Sequence, residues 1–181
     1  MQLSASDCVS VIIEASQPVI KINGFNDFEW YRKTKDSRKG PWLQSDYKVI
    51  DEKLWREMKP CLYFLTGDNG ELKYVGRSVN RIKDRWRTSP AYDANEKPLN
   101  RHEMFHNRCW PHMCDAKKPV SNETYVVSVI HYTDLVEVLS TINHEISGLL
   151  VFKNDPRRFV KKVEDWFIDN FMSQLWNQNL Y

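Results

Sequence analysis

Apolar and polar residues alternate between strand-like and helix-like spacing along this chain. Residues 9–22 read as extended: VSVII, then PVIKI after Ser16 and Gln17. Residues 23–60 mix turns with aromatics. Within them DEKLWREM (51–58) predicts a short helix, opened by Asp51 and closed before Pro60. Two short apolar runs follow, CLYFL (61–65) and LKYVG (72–76), joined by a polar turn that contains Asp-Asn-Gly. That pattern predicts a β-hairpin. Ser78 or Asn80 is placed to cap a helix carrying RIKDRW. Pro90 and Pro98 mark a loop, and a helix over 99–109 would end before Pro111. The β-branched density of ETYVVSVIHY (123–132) predicts a buried strand. Leu135, Val138, Leu139, Ile142, Ile146 and Leu149 then recur at helical spacing. After the loop KNDPRR, the segment 159–176 is amphipathic: Phe159, Val160, Val163, Phe167, Phe171 and Leu175 share one face.

This order predicts the α+β class: a small antiparallel three-stranded sheet flanked by helices, preceded by an N-terminal extension. The expected organisation is an extension over 1–59 and a domain over 60–181, with insertions at about 87–122 and 133–158. The length of 181 residues suits one domain with a real core. Thirteen per cent aromatics, with seven Trp, exclude a disordered chain. No apolar run nears the ~18 residues of a membrane span, and the first residues lack the basic flank of a secretory signal. A soluble, intracellular, cytoplasmic protein is therefore expected. Cys8, Cys61, Cys109 and Cys114 are accordingly expected as reduced thiols.

The net charge of +2 hides a strong segregation. Residues 73–87 carry six bases and one acid; 32–39 and 153–162 carry five bases and one acid each. The remainder of the chain is acidic. Such a distribution suits either a polyanion footprint or three solvated faces. In the second cluster Arg32, Lys33, Lys35, Arg38 and Lys39 lie among Trp30, Tyr31 and Trp42. There the bases are candidates for phosphate and the aromatics for stacking. Arg81 and Arg87 are the corresponding candidates of the first cluster.

Five separated features of the chain fall in one order. Cys61-Leu62-Tyr63 stands on the first hairpin strand and Tyr74-Val75-Gly76 on the second, the tyrosines eleven residues apart. Ile82, Arg85 and Trp86 follow on the short helix. Glu164, Ile168 and Phe171 mark the last helix, and Trp176-Asn177 comes after it. This arrangement resembles the GIY-YIG nuclease family over residues 61–177. The resemblance implies a metal-dependent endonuclease acting on double-stranded DNA, of restriction or phage type, using Mg²⁺ or Mn²⁺ and with no membrane partner. It implies that Tyr63, Tyr74, Arg85 and Glu164 are catalytic, with Glu164 the metal ligand and Arg77, Asn177 and Tyr92 supporting. Cutting two strands with one site per chain needs a homodimer or two successive nicks. Three positions depart from the family pattern. Ser89-Pro90 stands where His or Tyr is usual after the arginine, which leaves Tyr92 or a histidine of 102–112 for that role. The arginine lies one residue farther from Gly76 than is typical, so Arg81 competes with Arg85. Asn177 lies one residue farther from Glu164.

The chemistry is consistent with these residue types. Phosphodiester hydrolysis needs a water nucleophile, a proton acceptor and neutralisation of developing charge, so positioning and electrostatics dominate. Side chains alternate across strands, so two tyrosines on paired strands can converge. A phenol of pKa ~10 is a poor base unless a cation favours phenolate or the proton is relayed through water. Arg85 suits either that field or a phosphate oxygen. Mg²⁺ is commonly held by one or two carboxylates plus waters and phosphate, so Glu164 alone is adequate. Arg77 is expected to touch phosphate, Asn177 to fix local backbone or the substrate strand, and Gly76 to permit close backbone approach. Each residue also has a plain reading: strand aromatics, helix-surface charges, a helix C-cap.

Two other readings stand beside this one. The fold without catalysis would be a nucleic-acid-binding module. His102, His106, Cys109, His112 and Cys114 form a run dense in zinc ligands, although the spacing matches no standard finger. Glu145, next to His144, is an acidic candidate that no motif frames.

Overall fold

The computed structural model describes residues 2–27, 42–86, 89–90, 109, 124–171 and 173–177. Its centre is one antiparallel sheet of six strands: β1 (Gln17–Asp27), β2 (Trp42–Val49), β3 (Cys61–Gly67), β4 (Leu72–Ser78), β5 (Ser89–Pro90) and β6 (Tyr125–His131). They lie in the order β4-β3-β6-β1-β2-β5. Helices α1 (Ala5–Glu14), α4 (Tyr132–Thr141) and α5 (Pro156–Phe171), with a 3-10 segment at Glu145–Phe152, pack on one face through residues such as Ile12, Leu139, Ile146 and Phe167. Helices α2 (Glu52–Arg56) and α3 (Ile82–Arg85) lie with the other face through Leu54, Trp55 and Ile82. The class is α+β.

The expected hairpin and strand form where they were read. β3 and β4 pair antiparallel around Asp68–Gly70, where Gly70 takes a φ of +77°, open to glycine without a Cβ penalty. Asp51 caps α2 by accepting from the Leu54 N–H at 2.9 Å. The sheet is wider than the three strands expected. β4, β3 and β6 do lie side by side, but β1 pairs with the outer side of β6 and brings β2 and β5 with it. The physical reason is that β6 is apolar along its length, so an exposed edge there would be costly; Val19, Ile20 and Ile22 of β1 are fully buried instead. Residues 1–59, expected as an extension, thus supply α1, β1, β2 and α2 to the same sheet and cores.

The extended segment expected at VSVII is helical. Ser4 and Asp7 form a reciprocal cap, Asp7 N–H to Ser4 Oγ at 3.2 Å and Ser4 N–H to Asp7 Oδ2 at 2.9 Å. Cys8 and Ile12, four apart, then bury one helical face. The β-branched run misleads because the start signal lies upstream of it. The helix expected after the hairpin is one turn, 82–85, and neither Ser78 nor Asn80 caps it; Arg81 holds the N-cap position without a side-chain bond. Ser78 Oγ instead closes a local turn, donating to Asn80 O at 2.7 Å. The helix expected at 99–109 falls outside the described residues except at Cys109. Among the described residues, no helix is long and apolar enough to cross a membrane.

Phe64 of β3 and Phe167 of α5 meet with ring centroids 5.4 Å apart, both fully buried. Truncating this contact loosens the seat of α5. Phe167→Ala is expected to cost about 3–5 kcal/mol of unfolding free energy, measured by urea denaturation.

Candidate active site at the edge of the sheet

The register of the hairpin sets the site. Tyr63 lies opposite Gly76, and Leu65 opposite Tyr74, so both phenols occupy the same face. Their rings stack with centroids 6.1 Å apart and planes at 24°. Trp86, just past α3, meets Tyr63 edge-on at 6.3 Å. Gly76 has a sharper reason than access for a ligand. A Cβ built there would lie 2.8 Å from Tyr63 Cε2 and would overlap Cζ and the hydroxyl. The Tyr63 phenol occupies the space that a side chain at 76 would need.

Glu164 arrives from the other face. Val160, Val163 and Phe167 seat α5 beneath β3 and β4 with Phe64 and Val75, and Glu164 stands one residue beyond Val163. Arg77, whose side chain follows the strand alternation to that same face, places Nε 2.9 Å from Glu164 Oε2. Arg85 Nη2 donates to the Arg77 carbonyl at 3.1 Å. Arg77 therefore joins the two: its side chain holds the acid and its backbone holds the second arginine. The charges of Arg85 and Glu164 both act on the Tyr63 hydroxyl, as do Tyr74 and Cys109. Four elements, β3, β4, α3 and α5, bring Tyr63, Tyr74, Arg85 and Glu164 to one stretch of the β4 edge.

Electrostatics bear on the two states left open for the phenol. Burial pushes the Tyr63 phenol well above its ordinary value near 10, and Tyr74 pushes it further; Arg85 opposes both without reversing them. Tyr63, only 6% exposed, is a protonated phenol at neutral pH and not a resident phenolate. Glu164 is also shifted up, first by burial, while Arg77 pulls it down. Asp165 adds to the upward push, and Lys161 opposes it with Arg77. Arg77, expected on phosphate, is here on Glu164.

Asn177 fixes local backbone. Its Nδ2 donates to Val75 O at 2.8 Å, and its Oδ1 accepts from Val75 N–H at 3.2 Å. The carboxamide stands where a neighbouring strand would, on the outer edge of β4. Arg81 pairs locally, its Nε 2.9 Å from Asp84 Oδ2, whereas Arg85 reaches the Arg77 carbonyl. Lys73 lies over the Trp176 ring at 5.9 Å, which ties the end of the described chain to β4 again.

Other candidates fall elsewhere. Arg32, Lys33, Lys35, Arg38, Lys39, Arg87 and Tyr92 lie outside the described residues, as do His102, His106, His112 and Cys114. Cys109, the fifth member of the zinc-type run, is fully buried in the apolar core near Tyr63, and burial raises its thiol pKa. Cys8 and Cys61 are buried free thiols, with Cys61 pushed up to about 12 by burial. Glu145 is exposed. Among the described residues, no three His, Cys, Asp or Glu side chains gather as a metal cage. The proximity of Cys109 to Tyr63 had no signal in the sequence, because 46 positions separate them and no motif links them. No family model, curated protein or solved structure matches the chain.

Two outcomes are expected. Gly76→Ala displaces Tyr63 from its stack and lowers stability by about 1–3 kcal/mol, the usual cost of overpacking, read by thermal unfolding. Tyr63 also predicts a pH response. Its folded-state pKa is raised, so the stability from keeping its proton is complete below about pH 10 and is lost as pH rises through the folded value. A 295 nm titration of wild type minus Tyr63→Phe should therefore show no tyrosinate signal at pH 10, and wild type should lose more stability than Tyr63→Phe above it.

Proposed function

We propose that this protein is a divalent-metal-dependent DNA endonuclease of the GIY-YIG type, hydrolysing phosphodiester bonds, with Mg²⁺ or Mn²⁺ at Glu164. The observation that carries the reading is the convergence at one strand edge of two stacked phenols, a guanidinium and a sheltered carboxylate, drawn from four elements. The reading is supported by β4, β3 and β6 lying side by side within the six-stranded sheet.

The donor set fits a hard dication. Glu164 offers one carboxylate, its side chain 17% exposed. Burial is the largest influence on its pKa and raises it. One carboxylate with waters and a substrate phosphate is an ordinary Mg²⁺ environment. When bound, the ion supplies charge stabilisation at the leaving oxygen. The chain's own groups do the rest. Arg85 neutralises phosphate charge with its planar fork. Tyr63, being protonated, holds the attacking water by hydrogen bonding, and the proton that water loses passes to a non-bridging phosphate oxygen or to solvent. Tyr74, stacked against it, holds that geometry. Asn177 keeps β4 straight at Val75, which fixes the positions of Gly76 and Arg77. Double-stranded DNA as substrate rests on the family resemblance and on the basic stretches 73–87 and 153–162. Cleavage of both strands would take two copies or two visits.

Supercoiled plasmid with Mg²⁺ tests this. Wild type is expected to nick, Glu164→Gln to fall to the level of buffer, and Arg85→Ala to lose about 10²–10³ in rate. Retained DNA binding with equal, background nicking in wild type and Glu164→Gln would make the protein a binding module instead.

A further inference from the structure

We infer that Arg77 is a latch on Glu164 which DNA phosphate releases, so that cation and nucleic acid enter the site together rather than cation first. This rests on the metal-dependent reading of Glu164. Arg77 Nε sits 2.9 Å from Glu164 Oε2, on the carboxylate that a dication would use. Two positive charges on one small carboxylate repel, so the guanidinium and the ion compete. The partners are unequally placed. The Glu164 side chain is 17% exposed and the Arg77 side chain 37%, so the arginine is the one that an incoming phosphate reaches.

The rest of Arg77 is anchored while its side chain is not. Its backbone lies in the β3–β4 ladder opposite Leu62, and its carbonyl accepts from Arg85. Its side chain is partly exposed, so the planar guanidinium fork is within reach of an incoming phosphate. Lys161, the other base whose charge reaches Glu164, is committed to Asp165 at 2.7 Å. It does not take the place of Arg77 when that residue leaves. A side-chain rotation at 77, with no backbone movement, therefore uncovers the acid and delivers a guanidinium to phosphate in one step.

Mn²⁺ titration of the full chain without DNA, followed by the EPR signal of the free ion, tests the latch. Arg77→Gln is expected to bind Mn²⁺ about tenfold or more tightly than wild type. Arg77→Lys, which keeps the charge, is expected to remain close to wild type. The gain in Arg77→Gln should vanish in Arg77→Gln/Glu164→Gln. A second measurement needs no variant at 77: a phosphorothioate duplex, corrected for its own Mn²⁺ uptake, should tighten Mn²⁺ binding by wild type and not by Glu164→Gln. Equal affinities for wild type and Arg77→Gln, with the bound ion lost in Glu164→Gln, overturn the latch and leave Glu164 as the ligand. An Arg77→Lys that binds as tightly as Arg77→Gln also overturns it. A gain that survives Glu164→Gln overturns both, because the ion then sits elsewhere.

Discussion

The Tyr63 ring lies across its partner strand because residue 76 has no side chain. Everything else at the site is arranged around that overlap. The antiparallel register puts Tyr63 opposite Gly76 and leaves Tyr74 diagonal to it, so the two rings stack. Trp86 closes the open side. A phenol wedged between two aromatic rings and a bare backbone has little freedom, and its hydroxyl is held near the strand edge. That position, rather than any unusual acidity, is what the fold provides.

Edge geometry also explains how groups from opposite faces of a sheet share one site. The tyrosines belong to the layer of α2 and α3, and Glu164 to the layer of α5. In the middle of a sheet these layers would be screened from each other by backbone. At an outermost strand they are separated only by its width. Arg77 spans that width, with its carbonyl toward Arg85 and its guanidinium on Glu164. The charges on either side therefore register at Tyr63.

Local pattern made the hairpin, α2, β6 and α5 legible, because turn chemistry, a capping Asp, β-branched density and 3.6-residue spacing each act over a few residues. The placement of Tyr63 and Tyr74 on paired strands, and of Arg85 and Glu164 on helices, was legible from order and spacing on those elements. Non-local pairing was not. Nothing in residues 17–27 says that they will insert beside β6, about a hundred positions away, and so the sheet was read too narrow. Helix α1 was hidden by a β-branched run whose Ser4–Asp7 cap outweighs it. The state of Tyr63 and the partner of Arg77 depend on burial and on a helix more than 80 residues distant, neither of which a one-dimensional pattern carries.

The Asn177 carboxamide has a consequence for assembly. An outermost strand ordinarily presents open N–H and C=O groups on which another chain could build. At Val75 both groups are already taken by an amide from the far end of the described chain, which imitates one residue of a missing neighbour. Strand-by-strand growth through the centre of β4 is blocked, so polymerisation along this rim is disfavoured. A second copy of the chain would have to meet this one through some other surface.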